Sequence, residues 1–161
     1  MSMGMVAGVP GLTPRVASAA MALVTAATEL DVITIGFAHE IVRLNISARQ
    51  RLDDVVKTVS GLPFGATDCA LPMLWAMDNG VKADAFIIYT DSETWYGKIH
   101  PVQALQEYRQ KMGLRAKLIV VGMVSNRFSI ADPNDAGMLD VVGFDTAVPQ
   151  VMNDFIGNGG K

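Results

Sequence analysis

Three stretches of this 161-residue sequence concentrate oxygen-bearing side chains. Thr90-Asp91-Ser92-Glu93-Thr94 is the densest of them. Phe64-Gly65-Ala66-Thr67-Asp68-Cys69 places a hydroxyl and a carboxylate in a glycine-containing loop, and Ser2-Met3-Gly4 leads a Gly- and Pro-rich stretch. Two hydroxyls and one carboxylate from separate loops would suit Mg²⁺. That ion takes about six hard oxygen ligands, uses only one or two carboxylates and keeps several waters. Cys69 and His100 raise a second chemistry, nucleophilic hydrolysis, which needs an exposed, acidified thiol within reach of a base. Cys69 stands at the start of an apolar helical pattern, where a buried small residue is the favoured reading. A phosphoryl-transfer site needs a cation on the transferred group, and Lys98 is the one nearby candidate. No P-loop, Gly-x-Ser-x-Gly elbow or His-x-x-x-His pair occurs.

The remaining polar residues have plainer readings. Asp68 reads as a capping or supporting group rather than a direct ligand. Asp132, Asp135 and Asp145 lie among Pro133, Asn134 and Gly137 and read as turn formers. Glu93 and His100 fall on the rim of the candidate site or on plain surface. Thr67 has two compatible roles, as a ligand and as a cap for the helix that follows.

These residues need a scaffold, and the composition allows one. Half the residues are apolar and 18% are charged, which excludes a disordered chain, and the length suits one domain. Thirteen basic against sixteen acidic residues give a net charge of −3, a poor field for a phosphate backbone. A single cysteine excludes a disulfide framework and suits a reducing compartment. The apolar stretch over 16–24 meets Thr25, Thr28 and Glu29 too early to span a bilayer, and no Lys or Arg precedes Pro14 as a signal peptide would require. We expect a cytoplasmic protein with no membrane partner.

Strand and helix patterns alternate along the chain. Strands are predicted over 32–37, 85–89, 117–121 and 139–144, the middle two apolar on both faces as in a covered parallel sheet. Residues 41–46 alternate apolar with polar and follow the first strand closely, which predicts its antiparallel edge partner. The first helix starts at Thr13-Pro14, with Val16, Ala20, Leu23 and Ala27 on one face. A second carries Leu52, Val55, Val56 and Val59 and stops at Gly61. A third runs over 71–77 to Gly80. A fourth opens at Pro101, turns Leu105, Tyr108 and Met112 inward and ends at Gly113. Val148, Val151, Met152 and Phe155 mark the last. Met73, Met77 and Met112 read as core filler. The pattern predicts an α/β fold, a three-layer, open, mostly parallel sheet with helices on both faces. Ligands of such sheets bind outside the carboxyl ends of the strands, where Asp91 follows 85–89.

The motifs resemble a known family. Thr67, in Gly65-Ala66-Thr67-Asp68-Cys69, and Asp91, in Tyr89-Thr90-Asp91-Ser92-Glu93, match the second and third elements of the metal-ion-dependent adhesion site (MIDAS) of von Willebrand factor A domains. More specifically, residues 65–76, 104–112 and 130–145 resemble the C-terminal A domain of the Ro (TROVE) ribonucleoprotein family. The likeness runs from about residue 2 to residue 155. It implies a Rossmann-like von Willebrand A domain over 1–157 with a flexible tail over 158–161. The family's first metal element is Asp-x-Ser-x-Ser at the end of a central strand. Here Ser2-Met3 matches only its last serine, and the aspartate, the first serine and the strand have no counterpart in the sequence.

The resemblance implies a binding domain and not an enzyme. One Mg²⁺, weakly held, would sit on Ser2, Thr67 and Asp91 and receive an acidic group from a protein partner. RNA would be bound by a helical-repeat ring outside this chain, in a ribonucleoprotein of non-coding RNA quality control. The alternatives are a Mg²⁺-dependent phosphotransfer or hydrolase enzyme and a metal-free packing module. In the A-domain sheet order, the strand without a counterpart lies between 32–37 and 85–89. We expect those two strands to close up and pair directly.

Overall fold

The structure, a computed structural model, describes residues 14–29, 31–37, 41–61, 68–90, 98–122, 131–132, 134–142 and 148–157. The elements run α1 (Pro14–Thr28), β1 (Thr34–Phe37), β2 (Ile41–Leu44), α2 (Leu52–Ser60), α3 (Leu71–Asp78), β3 (Ala85–Thr90), α4 (Pro101–Met112), β4 (Lys117–Gly122), β5 (Met138–Val142) and α5 (Val148–Gly157). Among the described residues, no helix is long and apolar enough to cross a membrane.

β3, β4 and β5 form a parallel sheet with β4 in the middle. Leu118, Ile119, Val120 and Val121 of β4 are all buried, so both faces of the sheet are covered. The period of two sorts its side chains cleanly. Ile119 and Val121, with Ile87, Tyr89, Leu139 and Val141, pack on Ala17 and Met21 of α1 and Met152 of α5. Leu118, Val120 and Ile88 face the other way, onto Met73 and Ala76 of α3 and Ala104, Leu105 and Tyr108 of α4. This is the predicted three-layer α/β arrangement.

α4 shows how local sequence sets these elements. His100 stands at its N-cap, where Nδ1 accepts a hydrogen bond from the Val102 N–H at 3.2 Å, and Pro101 opens the helix. Gly113 ends it at φ +65°, the left-handed conformation that favours glycine. Tyr108 is fully buried, and its hydroxyl donates to the Val81 carbonyl and accepts from the Ala83 N–H, both at 2.7 Å. The loop entering β3 is thereby tied to α4.

β1 and β2 pair antiparallel, from Thr34 opposite Leu44 to Phe37 opposite Ile41, as the alternation predicts. β1 starts two residues later than expected. Beyond Leu44 the chain leaves the ladder for a turn, in which the Gln50 N–H donates to the Ser47 carbonyl. Val32 and Ile33 therefore have no strand opposite them, and they are exposed. β5 likewise covers 138–142 and not 139–144, because its pairing begins at Met138 opposite Leu118.

Two helical faces differ from expectation. α1 buries Ala17, Ser18, Ala19 and Met21, while Ala27 is exposed. It is packed between the sheet, α2 and α5, so burial follows small residues on several sides rather than one stripe. Leu52 and Val151, assigned inward, are exposed at 42% and 44%. Val55 and Met152, also expected inward, are buried.

The expected closure of β1 onto β3 does not occur. The described strands form two separate sheets, β1-β2 and β3-β4-β5. A cleft of about 820 Å³ lies between them, walled by Thr34, Ile35 and Gly36 of β1, the preceding Ile33 and all of β3. Ser18, Ala22 and Thr25 of α1 and Pro72, Trp75 and Ala76 of α3 line it as well. Direct pairing would bring the strands to about 4.8 Å and displace helices already seated on the core. The gap is held open from both layers.

Candidate functional site

The register of the parallel sheet creates one level edge. Thr90, Gly122 and Val142 are mutual partners at the carboxyl ends of β3, β4 and β5, so the three following loops leave from one line. Thr90 is buried and hydrogen-bonded. Asp91 is the next residue. It lies outside the described residues, as do Ser2, Thr67, Glu93 and Asp145. Among the described residues no three His, Cys, Asp or Glu side chains gather as a metal group would.

The residues beside these positions are described. Asp68, next to Thr67, has a committed carboxylate: Oδ1 accepts from the Ala70 N–H at 3.0 Å. Its carbonyl accepts from the Leu71 N–H at 3.2 Å. Ala70 occupies the N-cap of α3 and contributes no side chain there, so Asp68 organises the helix start. That is the capping role expected of it.

Cys69 is fully buried against α3 and α4, so its thiol is closed to a substrate. His100 directs Nδ1 at its own helix. The two residues do not form a nucleophile and base. Lys98 is exposed.

The two described turn aspartates, Asp132 and Asp135, behave as predicted. Asp132 Oδ1 accepts from the Asn134 N–H at 2.9 Å, and Asp135 Oδ1 accepts from the Gly137 N–H at 2.7 Å. Asp135 has a further role that no local pattern announces. Arg109 of α4 reaches it across the fold, with Nη1 2.6 Å from Oδ2. The guanidinium holds the Asp135 carboxyl below the usual carboxylate range, and the Gly137 N–H adds to that against a partial desolvation. Tyr89 was also missed as a polar group. Its hydroxyl meets Thr25 Oγ1 at 3.1 Å in the cleft, and burial raises its pKa above the ordinary value while the Thr25 contact partly offsets this.

The profile of the Ro60 vWA domain matches residues 1–156. The chain belongs to the Ro60 von Willebrand A-domain family. The RNA-binding protein RO60 of Deinococcus radiodurans is 52% identical over 155 residues, which are 96% of this chain and 29% of that protein. The RNA-binding protein RO60 of Caenorhabditis elegans is 44% identical over 146 residues, 90% of this chain and 23% of that protein. The crystal structure of the Deinococcus radiodurans RO (RSR) protein superposes with a TM-score of 0.88 at 51% identity, over 97% of this chain and 32% of that one. The chain thus spans less than a third of the length of these relatives. An aerotolerance-related membrane protein from Bacteroides fragilis, at 12% identity and a TM-score of 0.62, shares the fold over 97% of this chain and 94% of its own. The Ro60 vWA assignment agrees with the three-layer architecture and the parallel sheet.

Proposed function

We propose that this Ro60-type A domain is a Mg²⁺-dependent binding module of an RNA-binding ribonucleoprotein, and that it is not an enzyme. The observation that carries this reading is the family match over 1–156, with relatives named RNA-binding proteins. The level carboxyl edge at Thr90, Gly122 and Val142 supports a ligand position at the adjoining Asp91.

Ser2, Thr67 and Asp91 would hold the ion. Two hydroxyls and one carboxylate are a donor set that fits a hard divalent cation and leaves it a net positive charge. When bound, the ion supplies an electrophilic position for a carboxylate from a protein partner. The chain's own residues do the rest: Asp68, next to Thr67 in sequence, shapes the start of α3, and β3 ends at Thr90, the residue before Asp91. Occupancy is weak, because a single carboxylate contributes most of the attraction.

RNA contacts belong to a helical-repeat ring outside this chain, in keeping with the net charge of −3. The setting is cytoplasmic non-coding RNA quality control. Titration calorimetry with Mg²⁺, with and without a carboxylate peptide, tests the reading. Binding that the carboxylate strengthens and Asp91→Ala abolishes is expected. Equal heats from wild type and Asp91→Ala would overturn the site.

A further inference from the structure

The connection between α3 and β3 is fixed at both ends. Asn79 is the C-cap of α3, and Gly80 follows it at φ +64°. The Gly80 N–H donates to the Met77 carbonyl at 3.3 Å and the Val81 N–H to the Ala76 carbonyl at 2.9 Å, the paired bonds of a Schellman motif. Beyond this turn, the Tyr108 hydroxyl holds the Val81 carbonyl and the Ala83 N–H. Asn79 and Gly80 lie exposed between these anchors.

An amide side chain that precedes glycine is open to attack by the backbone, because glycine has no Cβ to shield its nitrogen. Of the six asparagines in the sequence, Asn79 and Asn158 precede glycine, and Asn158 lies outside the described residues. A Cβ built on Gly80 meets nothing within 4 Å, so the surroundings are as open as the residue itself. At ψ 3° of Asn79 the Gly80 nitrogen is turned away from the Asn79 side chain, and ring closure needs a rotation about the Asn79 Cα–C bond. That rotation breaks the 3.3 Å bond to Met77, the longer of the two that close the motif. Helix ends open locally at small cost, and this one does so without unfolding the core.

We propose that Asn79–Gly80 is a site of spontaneous covalent modification, at which Asn79 is converted through a succinimide to aspartate and isoaspartate, loosening the end of α3. The Gly80 nitrogen gives up its proton and forms a bond to Asn79 Cγ. The Cγ–Nδ2 bond breaks, and Nδ2 leaves with that proton as ammonia. Water then opens the ring, at Cγ to give aspartate or at the backbone carbonyl carbon of residue 79 to give isoaspartate. Both products place a carboxylate beside Asp78 at the negative end of the α3 dipole. Both lose the hydrogen bond from Nδ2 to the Trp75 carbonyl, 2.9 Å long in the unmodified chain. Isoaspartate also adds a carbon to the main chain between α3 and Val81, which pulls the Schellman pair out of register.

The test uses the full 161-residue chain, incubated in warm, mildly alkaline buffer. Lys57 and Lys82 bound a tryptic peptide, 58–82, that contains Asn79 and no other asparagine. Its mass is expected to show an acid in place of the amide, and enzymatic methylation to show isoaspartate, several-fold faster than at Asn45, Asn134 or Asn153. The rate should rise with pH, since the attacking amide must lose its proton. Asn79→Gln, at an exposed position, should abolish the change, because its longer side chain would have to close a larger ring. The modified chain, separated by anion exchange, should melt below the unmodified one, and Asn79→Asp should reproduce the part of that loss due to charge. A peptide 58–82 that stays an amide in the folded chain overturns the proposal; modification in urea alone would show that the Schellman motif protects Asn79. An unchanged melting temperature of the modified chain overturns the loosening of α3.

Discussion

Arg109 closes on Asp135 from twenty-six residues away, with Nη1 2.6 Å from Oδ2 and Nη2 3.4 Å from Oδ1. The same guanidinium donates from Nε to the Ala116 carbonyl at 2.8 Å. One side chain of α4 thus binds both the turn into β4 and the turn into β5. The side chains are only about a fifth exposed, 23% and 21%, so solvent screens the pair incompletely. Asp135→Ala should lower the unfolding free energy by about 1.5–3 kcal/mol, the scale for a hydrogen-bonded charged group. Asp135→Asn should cost less, because its amide oxygen can still accept from the Gly137 N–H. Urea denaturation of both variants measures the difference.

The same pair sets an acid limit. Asp135 has its pKa lowered in the folded state, so its contribution is present above the unfolded value of about 3.9. It is lost as the pH falls through the lower folded value. Stability measured from pH 5 downward should decline less steeply in Asp135→Asn than in wild type. Parallel declines would remove Asp135 from the account.

Tyr108 is a core residue with a polar duty. Phenylalanine would keep its edge-on contact with Phe86, at 4.9 Å between ring centroids, and lose only the hydroxyl. The Val81 carbonyl and the Ala83 N–H would then lose their partner beside a fully buried side chain. Tyr108→Phe should cost about 1–3 kcal/mol, the penalty for unsatisfied buried groups. Thermal unfolding reports it, and an unchanged melting temperature would mean that water replaces the hydroxyl at no cost.

Two glycines separate conformational from steric demand. Gly113 has φ +65° with open space around a built Cβ, so Gly113→Ala should cost about 1 kcal/mol from backbone strain alone. Gly61 ends α2 at φ −76°, and its Cβ would meet only the Thr58 and Lys57 carbonyls at 3.6 and 3.8 Å. Gly61→Ala should therefore be neutral or stabilising, by up to about 1 kcal/mol. Opposite signs in chemical denaturation are the expected result.

That contrast marks what sequence reasoning reaches. Gly61 and Gly113 look alike as helix stops, yet only one needs the left-handed conformation. The parallel sheet is legible because β4 is apolar at every inner position, and the hairpin because 41–44 alternates. The start of β1 is not legible: Val32 and Ile33 are β-branched, and only the loss of a partner beyond Leu44 excludes them. The closure of β1 onto β3 is expected from the A-domain sheet order that the resemblance implies, together with the cost of unpaired edges. It fails because α1 and α3 hold the cleft walls apart, a tertiary effect with no local signature. Of the candidate site, Asp68 is legible as a cap, since its spacing to the helix start suffices. Ser2, Thr67 and Asp91 rest on residue type and resemblance, for they lie outside the described residues. Arg109 and Asp135 are separated too far for any spacing rule to join them.

Tyr89 supplies the last prediction, because it stands in the cleft wall and titrates. Its hydroxyl is hydrogen-bonded to Thr25 and its pKa is raised chiefly by burial. A raised folded-state value means that the folded protein holds its proton longer than the unfolded chain does. Its contribution to stability is complete below about pH 10 and is lost as the pH rises through the folded value. Tyr89→Phe should therefore remove a late-titrating phenolate from the absorbance curve and flatten the loss of stability above pH 10. Thr25→Val keeps the burial and removes the hydroxyl that lowers the value, so it should move that phenolate to still higher pH. A Thr25→Val curve shifted downward would show that the hydrogen bond, not burial, dominates the environment of Tyr89.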